Sequence, residues 1–401
     1  MNRKTSPIRK KGMIAGLSLL LLACPAVAKD AGRKKGPAKP LNLVWPLPPE
    51  KPRIKYVGSI YGAGDIEPIK KANFLDRLAG IQKKDFKLDF EKPHGVATDS
   101  RNRIYVTDSS QGMVFVLDRE NKRVTFLGSG SQVSLKVPLG IAIDSKDRIW
   151  VADAAGQHVY GFDSDGNVVM ALGKQDEMVN PTAVAVDEAP HRLYVVDSKQ
   201  HCVLVYDSES GQSLGKFGER GRGNGQFNFP THVVVDQQGR IYVADTMNFR
   251  IQVFDPEYKL VDTIGSQGNR FGQFLKPKGL ALDSYQNLYV VDSDFDNFQV
   301  FDQQKRLLMF LGRGGQTPGT FWLPAGIHID RNNYIYVTDQ NNRRIQIFQL
   351  LDGATEEPPI DKKALSSALP IDNKGGATAI TTNRDSHQQV IVNSKEEKTT
   401  P

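Results

Sequence analysis

The chain has 401 residues, 39% hydrophobic and 24% charged, with two cysteines. That is enough for one large all-β domain or two ordinary ones, and too little cysteine for a disulfide framework. Its formal charge of +7 sits in the first 40 residues, because Leu41 to Gly353 hold 36 bases against 37 acids; a body so close to neutral argues against nucleic acid as a partner.

The N-terminus, MNRKTSPIRKKGMIAGLSLLLLACPAVAKD, places five Lys or Arg before Met13 to Ala23, eleven residues that are apolar apart from Gly16 and Ser18. This is a secretory leader, since spanning a bilayer needs about 20 apolar residues. LLAC, Leu21 to Cys24, resembles a bacterial lipobox, which predicts a signal peptide over 1–23 and lipid on Cys24. AVA, Ala26 to Ala28, offers an ordinary cleavage after residue 28 instead. Residues 24–51 read as a basic, Pro-rich linker whose Lys29 to Pro40 stretch suits anionic headgroups beside a lipid anchor. The expected location is the bacterial cell envelope, lipid-anchored on its periplasmic or surface side, or soluble in the periplasm if the ordinary site is cut. With Cys24 lipidated, Cys202 is left as a free, small apolar residue in a strand.

Next comes PRIKYVGSI, Pro52 to Ile60, a strand with no neighbour in sequence to pair with. Beyond it, Phe74, Leu75, Leu78 and Ile81 fall at helical spacing, which fits a short amphipathic helix or a solvent-facing loop with one apolar side.

From Pro93 onward one unit recurs six times: PHGVATD, PLGIAID, PTAVAVD, PTHVVVD, PKGLALD and PAGIHID, at intervals of 45, 43, 49, 47 and 47 residues. Each copy continues into a second apolar stretch ending in Asp, such as IYVTD or IWVAD, and a third, such as VFVLD or IQVFD. The runs are short, rich in Val, Ile, Tyr and Phe, and separated by Gly, Asn, Asp and Ser, which is strand and turn chemistry. Five copies add a fourth strand ending in glycine, and the sixth lacks it. Arg53 to Ile60 has the missing strand's pattern, so it is expected on the outer edge of blade six, closing a ring of four-stranded antiparallel blades.

The set PxGhAhD, IYVxD, NxRIQVF and GxGQF resembles NHL repeats, and the lead-in WPLPPEKPRIKYV is similar to that of bacterial exported proteins of this kind. The resemblance covers about Pro52 to Gly353 and implies an all-β, six-bladed β-propeller over 52–353, expected to be monomeric; the polar, Pro-, Ser- and Thr-containing residues 354–401 read as a disordered tail.

Strand direction alternates within a blade, so the connections after the second and fourth strands share one face, and that face carries the longer loops. Phe227, Phe274 and Phe321 in those loops are expected to wedge between blades. The Asp ending every second strand (Asp108, Asp153, Asp197, Asp245, Asp292, Asp339) recurs in all six copies, which points to a turn cap. An asymmetry remains: Arg220, Arg222, Arg250, Arg270, Arg313, Arg343 and Arg344 gather in blades four to six and the junctions around them, with Phe249 and Phe271 among them. Arg beside aromatics typifies binding surfaces. Glu219, Asp292, Asp294 and Asp296 lie in the same loops, so a solvated mixed-charge rim is the competing reading.

Similar propellers include amidating lyases and lactonases that hold metal at the axis. His94, His232 and His328 stand on innermost strands and are the candidate ligands; His94 has the opposite parity from the other two, which argues against convergence. The sequence thus favours a non-enzymatic, envelope-anchored binding or scaffold protein without cofactor, presenting the loop face to a protein or glycan partner. The alternative is a metal-dependent lyase or lactonase-like hydrolase acting at the axis.

Overall fold

In the computed structural model the described residues are 41–67, 88–129, 133–173 and 177–351. The leader, Cys24, the basic stretch, the 74–81 pattern and the tail lie outside them.

Six antiparallel sheets follow one another around an axis. Blade one comprises Pro93–Thr98, Ile104–Asp108, Met113–Asp118 and Arg123–Leu127, and blade two Pro138–Ile143, Ile149–Asp153, His158–Phe162 and Val168–Leu172. Blade three comprises Pro181–Asp187, Arg192–Asp197, Cys202–Asp207 and Ser213–Phe217, and blade four His232–Val235, Ile241–Asp245, Arg250–Phe254 and Leu260–Ile264. Blade five comprises Pro277–Leu282, Leu288–Asp292, Asn297–Phe301 and Leu307–Leu311. In blade six, Pro324–Ile329, Tyr334–Asp339 and Arg344–Leu350 are joined by Ile54–Ile60.

Second strands such as Ile104–Asp108 and Ile149–Asp153 are buried along their whole length, because each sheet packs on a neighbour at both faces. That is why their apolar residues occupy both parities rather than alternating. Outermost strands are partly solvated, and Ser213–Phe217 is almost wholly exposed.

The ring closes as its sequence implies. Ile54–Ile60 pairs antiparallel with the last strand, Tyr56 opposite Phe348 and Ile60 opposite Ile345, with a bulge between Tyr56 and Gly58. Its expected place at the outer edge is corrected by the structure. Val44–Trp45, from the stretch read as linker, adds a fifth strand outside it, with Val44 opposite Lys55. The edge of Ile54–Ile60 is thereby covered, and Trp45 lies edge-on to Phe348 at 5.8 Å.

The wedge residues behave as expected. Phe227, Phe274 and Phe321 are fully buried, and Phe321 touches Phe298 of blade five and Phe348 of blade six. The six aspartates are also buried. Each binds a backbone amide of the incoming junction; Asp108, for example, accepts from Glu91 and Lys92 and from the turn amides of Ser110 and Gln111, whereas Asp245 and Asp339 meet their turns through the side chains of Asn248 and Asn342. Six-fold recurrence therefore reflects a structural tie between loops.

At the axis the inner strands approach closely enough to require glycine. A Cβ at Gly95 would lie 2.4 Å from the Leu139 carbonyl oxygen, and one at Gly326 2.4 Å from that of His94. Hydroxyls then staple neighbouring blades: Thr107 donates to the Leu139 carbonyl of blade two, Thr246 to Pro277, Ser293 to Pro324 and Thr338 to His94 of blade one. Thr338 also accepts from the Gly326 amide at 2.7 Å. Thr338→Val preserves shape but strands that buried amide and weakens the 6–1 seam. A loss of about 2–6 kcal/mol, from a buried donor and acceptor at roughly 1–3 kcal/mol each, is expected in guanidinium unfolding.

Candidate functional site: the loop face and the axial channel

The junctions into blades four, five and six are the elaborated ones. In the first, Glu219–Arg220 pairs in parallel with Gln226–Phe227; the other two repeat this as single bridges, Gln267 with Phe274 and Gly314 with Phe321. Two of these loops are clamped from below by the blade they enter. Asp245 binds Asn248, Arg250 and Gln252, and the Arg250 guanidinium donates to the carbonyls of Gly223 and Gln226. Asp339, Asn342, Arg344 and Gln346 repeat the arrangement beneath the loop into blade six.

This geometry corrects part of the expected binding set. Arg344 is buried, 1% exposed, and its donors are taken by Asp339 at 2.8 Å, the Thr317 and Thr320 carbonyls and the Tyr61 hydroxyl. Arg250 is likewise held by Asp245 at 2.8 Å with its side chain 14% exposed. Both shape the face without being presented on it. Phe249 is half-buried in a left-handed turn residue, φ 59°. Phe271 is half exposed but stacks on Phe310 of an outermost strand, ring centroids 4.4 Å apart, so it sits at the circumference.

The other five arginines, Arg220, Arg222, Arg270, Arg313 and Arg343, are exposed. Among the described residues none has a carboxylate within ion-pair distance. The acids of the same loops are committed elsewhere. Asp292 accepts from the Leu275 and Lys276 amides, Asp294 faces Lys276 at 3.6 Å, Asp296 accepts from the Leu323 amide, and Glu219 from Gln226. Large apolar side chains that the sequence reading passed over open on this face too: Phe229, Met247 and Trp322 are each close to half exposed. Phe229 and Trp322 stand one and two residues ahead of the proline that opens each repeat, where other copies have residues such as Lys92 or Lys136. That departure was the available signal.

The inner strands line a channel of about 270 Å³ whose wall is apolar apart from Thr98, His232 and His328. The three candidate ligands do not come together. His328 Nε2 bonds the Thr98 hydroxyl at 2.8 Å, His232 Nδ1 accepts from the Leu280 amide at 3.4 Å, and His94 Nδ1 has no partner. Among the described residues no three His, Cys, Asp or Glu side chains are grouped to hold a metal ion. Cys202 is buried and burial pushes its thiol up to about 11, so it is an inert apolar residue.

Burial lowers all three histidines, His94 to about 3 with added repulsion from Lys278, His232 and Lys92, and His232 and His328 to about 4. Being depressed below the unfolded value of 6.5, they leave stability intact above that pH and remove it as pH falls toward 3 to 4. The expected loss is about 1.4 kcal/mol per histidine per pH unit across that window. Unfolding midpoints at pH 7.5 and 5.0 should separate in the wild type, and the gap should narrow markedly in a His94→Gln, His328→Gln double variant, the remainder belonging to His232.

Comparison with known proteins agrees with the architecture. The NHL repeat family matches residues 90–111 and 227–254, and a family described as 6-bladed beta-propeller matches 138–218. The chain is a six-bladed β-propeller. It carries NHL repeats. Human NHL repeat-containing protein 3 is 34% identical over 97 residues, 21% of this chain and 26% of that protein; the chain thus spans about a quarter of the length of such curated relatives. An auxiliary nutrient binding protein from Bacteroides thetaiotaomicron superimposes with a TM-score of 0.53 at 14% identity, over 66% of this chain and 70% of its own. A streptogramin B lyase does so with 0.52 at 10%, over 66% and 96%. These likenesses concern the fold alone.

Proposed function

We propose that the protein is a non-enzymatic binding module of a bacterial cell envelope, anchored through lipid on Cys24, whose loop face captures a protein or glycan bearing acidic groups. One observation carries this reading: on the face built by the three elaborated junctions, the acids are bound within the protein while five arginines have no ion-pair partner, and Trp322 and Phe229, the latter edge-on to His201 at 4.6 Å, remain close to half exposed. Unpaired guanidinium groups beside exposed aromatics, on loops fixed from below by Asp245 and Asp339, form a pre-organised anionic-ligand surface.

The test is crosslinking in intact cells followed by pull-down. Arg220→Glu with Arg313→Glu, and separately Trp322→Ala, should each reduce the captured species at least fivefold with unfolding midpoints unchanged; undiminished capture overturns the reading. Fatty-acid labelling that survives Cys24→Ala would overturn the anchor. Stoichiometric zinc or calcium in the purified protein would favour chemistry at the axis instead.

A further inference from the structure

Every innermost strand runs inward from the loop face, so the residue after each repeat's opening proline marks that end of the axis: His94, Leu139, Thr182, Thr231, Lys278 and Ala325. The ring is uneven in chemistry. Thr182 bonds Ser198 and Thr231 bonds Thr246, so both hydroxyls turn back into their own blades. Ala325 is buried and brings no polar group, and Leu139 is apolar. Two polar side chains are left uncommitted, on blades one and five, with only blade six between them.

Lys278 is largely enclosed, and no carboxylate lies within ion-pair distance among the described residues; the charges that reach it are Lys276, Lys92 and Asp294. Asp294 is the one acid of that group, and it already faces Lys276. His94 leans on the Leu139 carbonyl and leaves Nδ1 buried without a partner. The charged groups that reach His94 are Lys278, His232 and Lys92; blade two brings it only that carbonyl, and blade six brings Ala325 and Gly326. The enclosed Lys278 ammonium has no counter-charge of its own and stands near a neutral imidazole with an empty nitrogen, while Lys92 and the Asp294-paired Lys276 lie close by. Burying such charge is costly unless a counter-charge meets it.

We propose that the loop-face mouth of the axial channel is an oxyanion site, in which the Lys278 ammonium and His94 Nδ1 bind a carboxylate or a tetrahedral oxyanion. Lys92 and Lys276 draw the anion in at longer range. Neutral His94 can donate from Nδ1 by holding its one proton there, and an anion beside the ring further favours the doubly protonated imidazolium, so binding is linked to proton uptake on His94. Affinity therefore weakens as pH rises. The site is separate from the exposed arginines and does not depend on their capturing a partner.

Calorimetric titration of the full chain with sodium sulfate, and separately with succinate, tests the proposal, because neither anion changes charge appreciably between pH 6.5 and 8. Saturable binding of either is expected, at least tenfold tighter at pH 6.5 than at 8. Sulfate alone would assign a tetrahedral oxyanion, and succinate alone a carboxylate. Lys278→Met should weaken binding at least tenfold, and His94→Gln should abolish the pH dependence. Lys278→Met should also unfold at an equal or higher temperature, since it removes an unpaired buried charge; if it does not fold, Lys278→Gln serves in its place. A further readout is the His94 ring resonance, whose titration should move upward on adding sulfate. Absence of saturable binding, or identical affinity in the Lys278 variant, overturns the site.

Discussion

Arg344→Glu is expected to cost at least about 3–5 kcal/mol, the range for breaking a buried ion pair by removing one partner, and so to lower the unfolding midpoint steeply. Asp339 lies fully buried and accepts from the Trp322 amide at 2.8 Å, from Asn342, from Arg344 at 2.8 Å and from Gln346. Only the arginine brings a balancing charge. Glutamate would set a second carboxylate against the first and leave the Thr317 carbonyl without its donor. The loop into blade six would lose its clamp at the same time. Arg343→Glu is the matched control, one residue away but exposed, and a surface change of this kind stays within about 0.5 kcal/mol. Guanidinium unfolding of the two variants side by side measures the difference, and equal midpoints would show that the clamp bears no weight.

Deleting the chain before Tyr61 should have a still larger effect. Ile54, Tyr56 and Ile60 are buried in the closing strand, and removing three such side chains forfeits roughly 5–9 kcal/mol at about 1.5–3 kcal/mol each. That is comparable with the whole stability of an ordinary domain, about 5–15 kcal/mol. The deletion also bares Arg344–Leu350 as an unpaired edge, a site for association between chains. The shortened protein is expected to lose its cooperative unfolding transition and to aggregate, and a peptide spanning Leu43 to Ile60 added in trans should restore part of the transition. A truncated monomer that unfolds at the wild-type midpoint would sink the closure.

Local patterning made much of this legible from residues alone. Strand-length apolar runs bounded by turn residues gave the blades, a 43 to 49 residue interval counted them, and the one missing fourth strand pointed to Ile54–Ile60. The wedge phenylalanines and the recurring aspartates could be read because each copy repeats the same contacts. Val44–Trp45 could not, since two residues carry no periodicity and their partner strand pairs with residues near position 350.

The loop face divides along the same line. Arg343 and Arg344 are neighbours of identical composition, yet one is exposed and the other is buried. What separates them is the fold: Arg344 meets carbonyls at positions 317 and 320 and a carboxylate at 339, whereas Arg343 occupies a left-handed turn that points outward, φ 53°. Likewise the sequence places Lys278 and His94 on equivalent strand positions, but only closure of the ring, with Ala325 between them, brings the ammonium and the empty imidazole nitrogen to one end of the axis. Repeating short-range patterns determine how many blades there are and where they begin. Which side chains are spent within the protein and which are left to a ligand depends on contacts between distant segments, and only the assembled ring makes those.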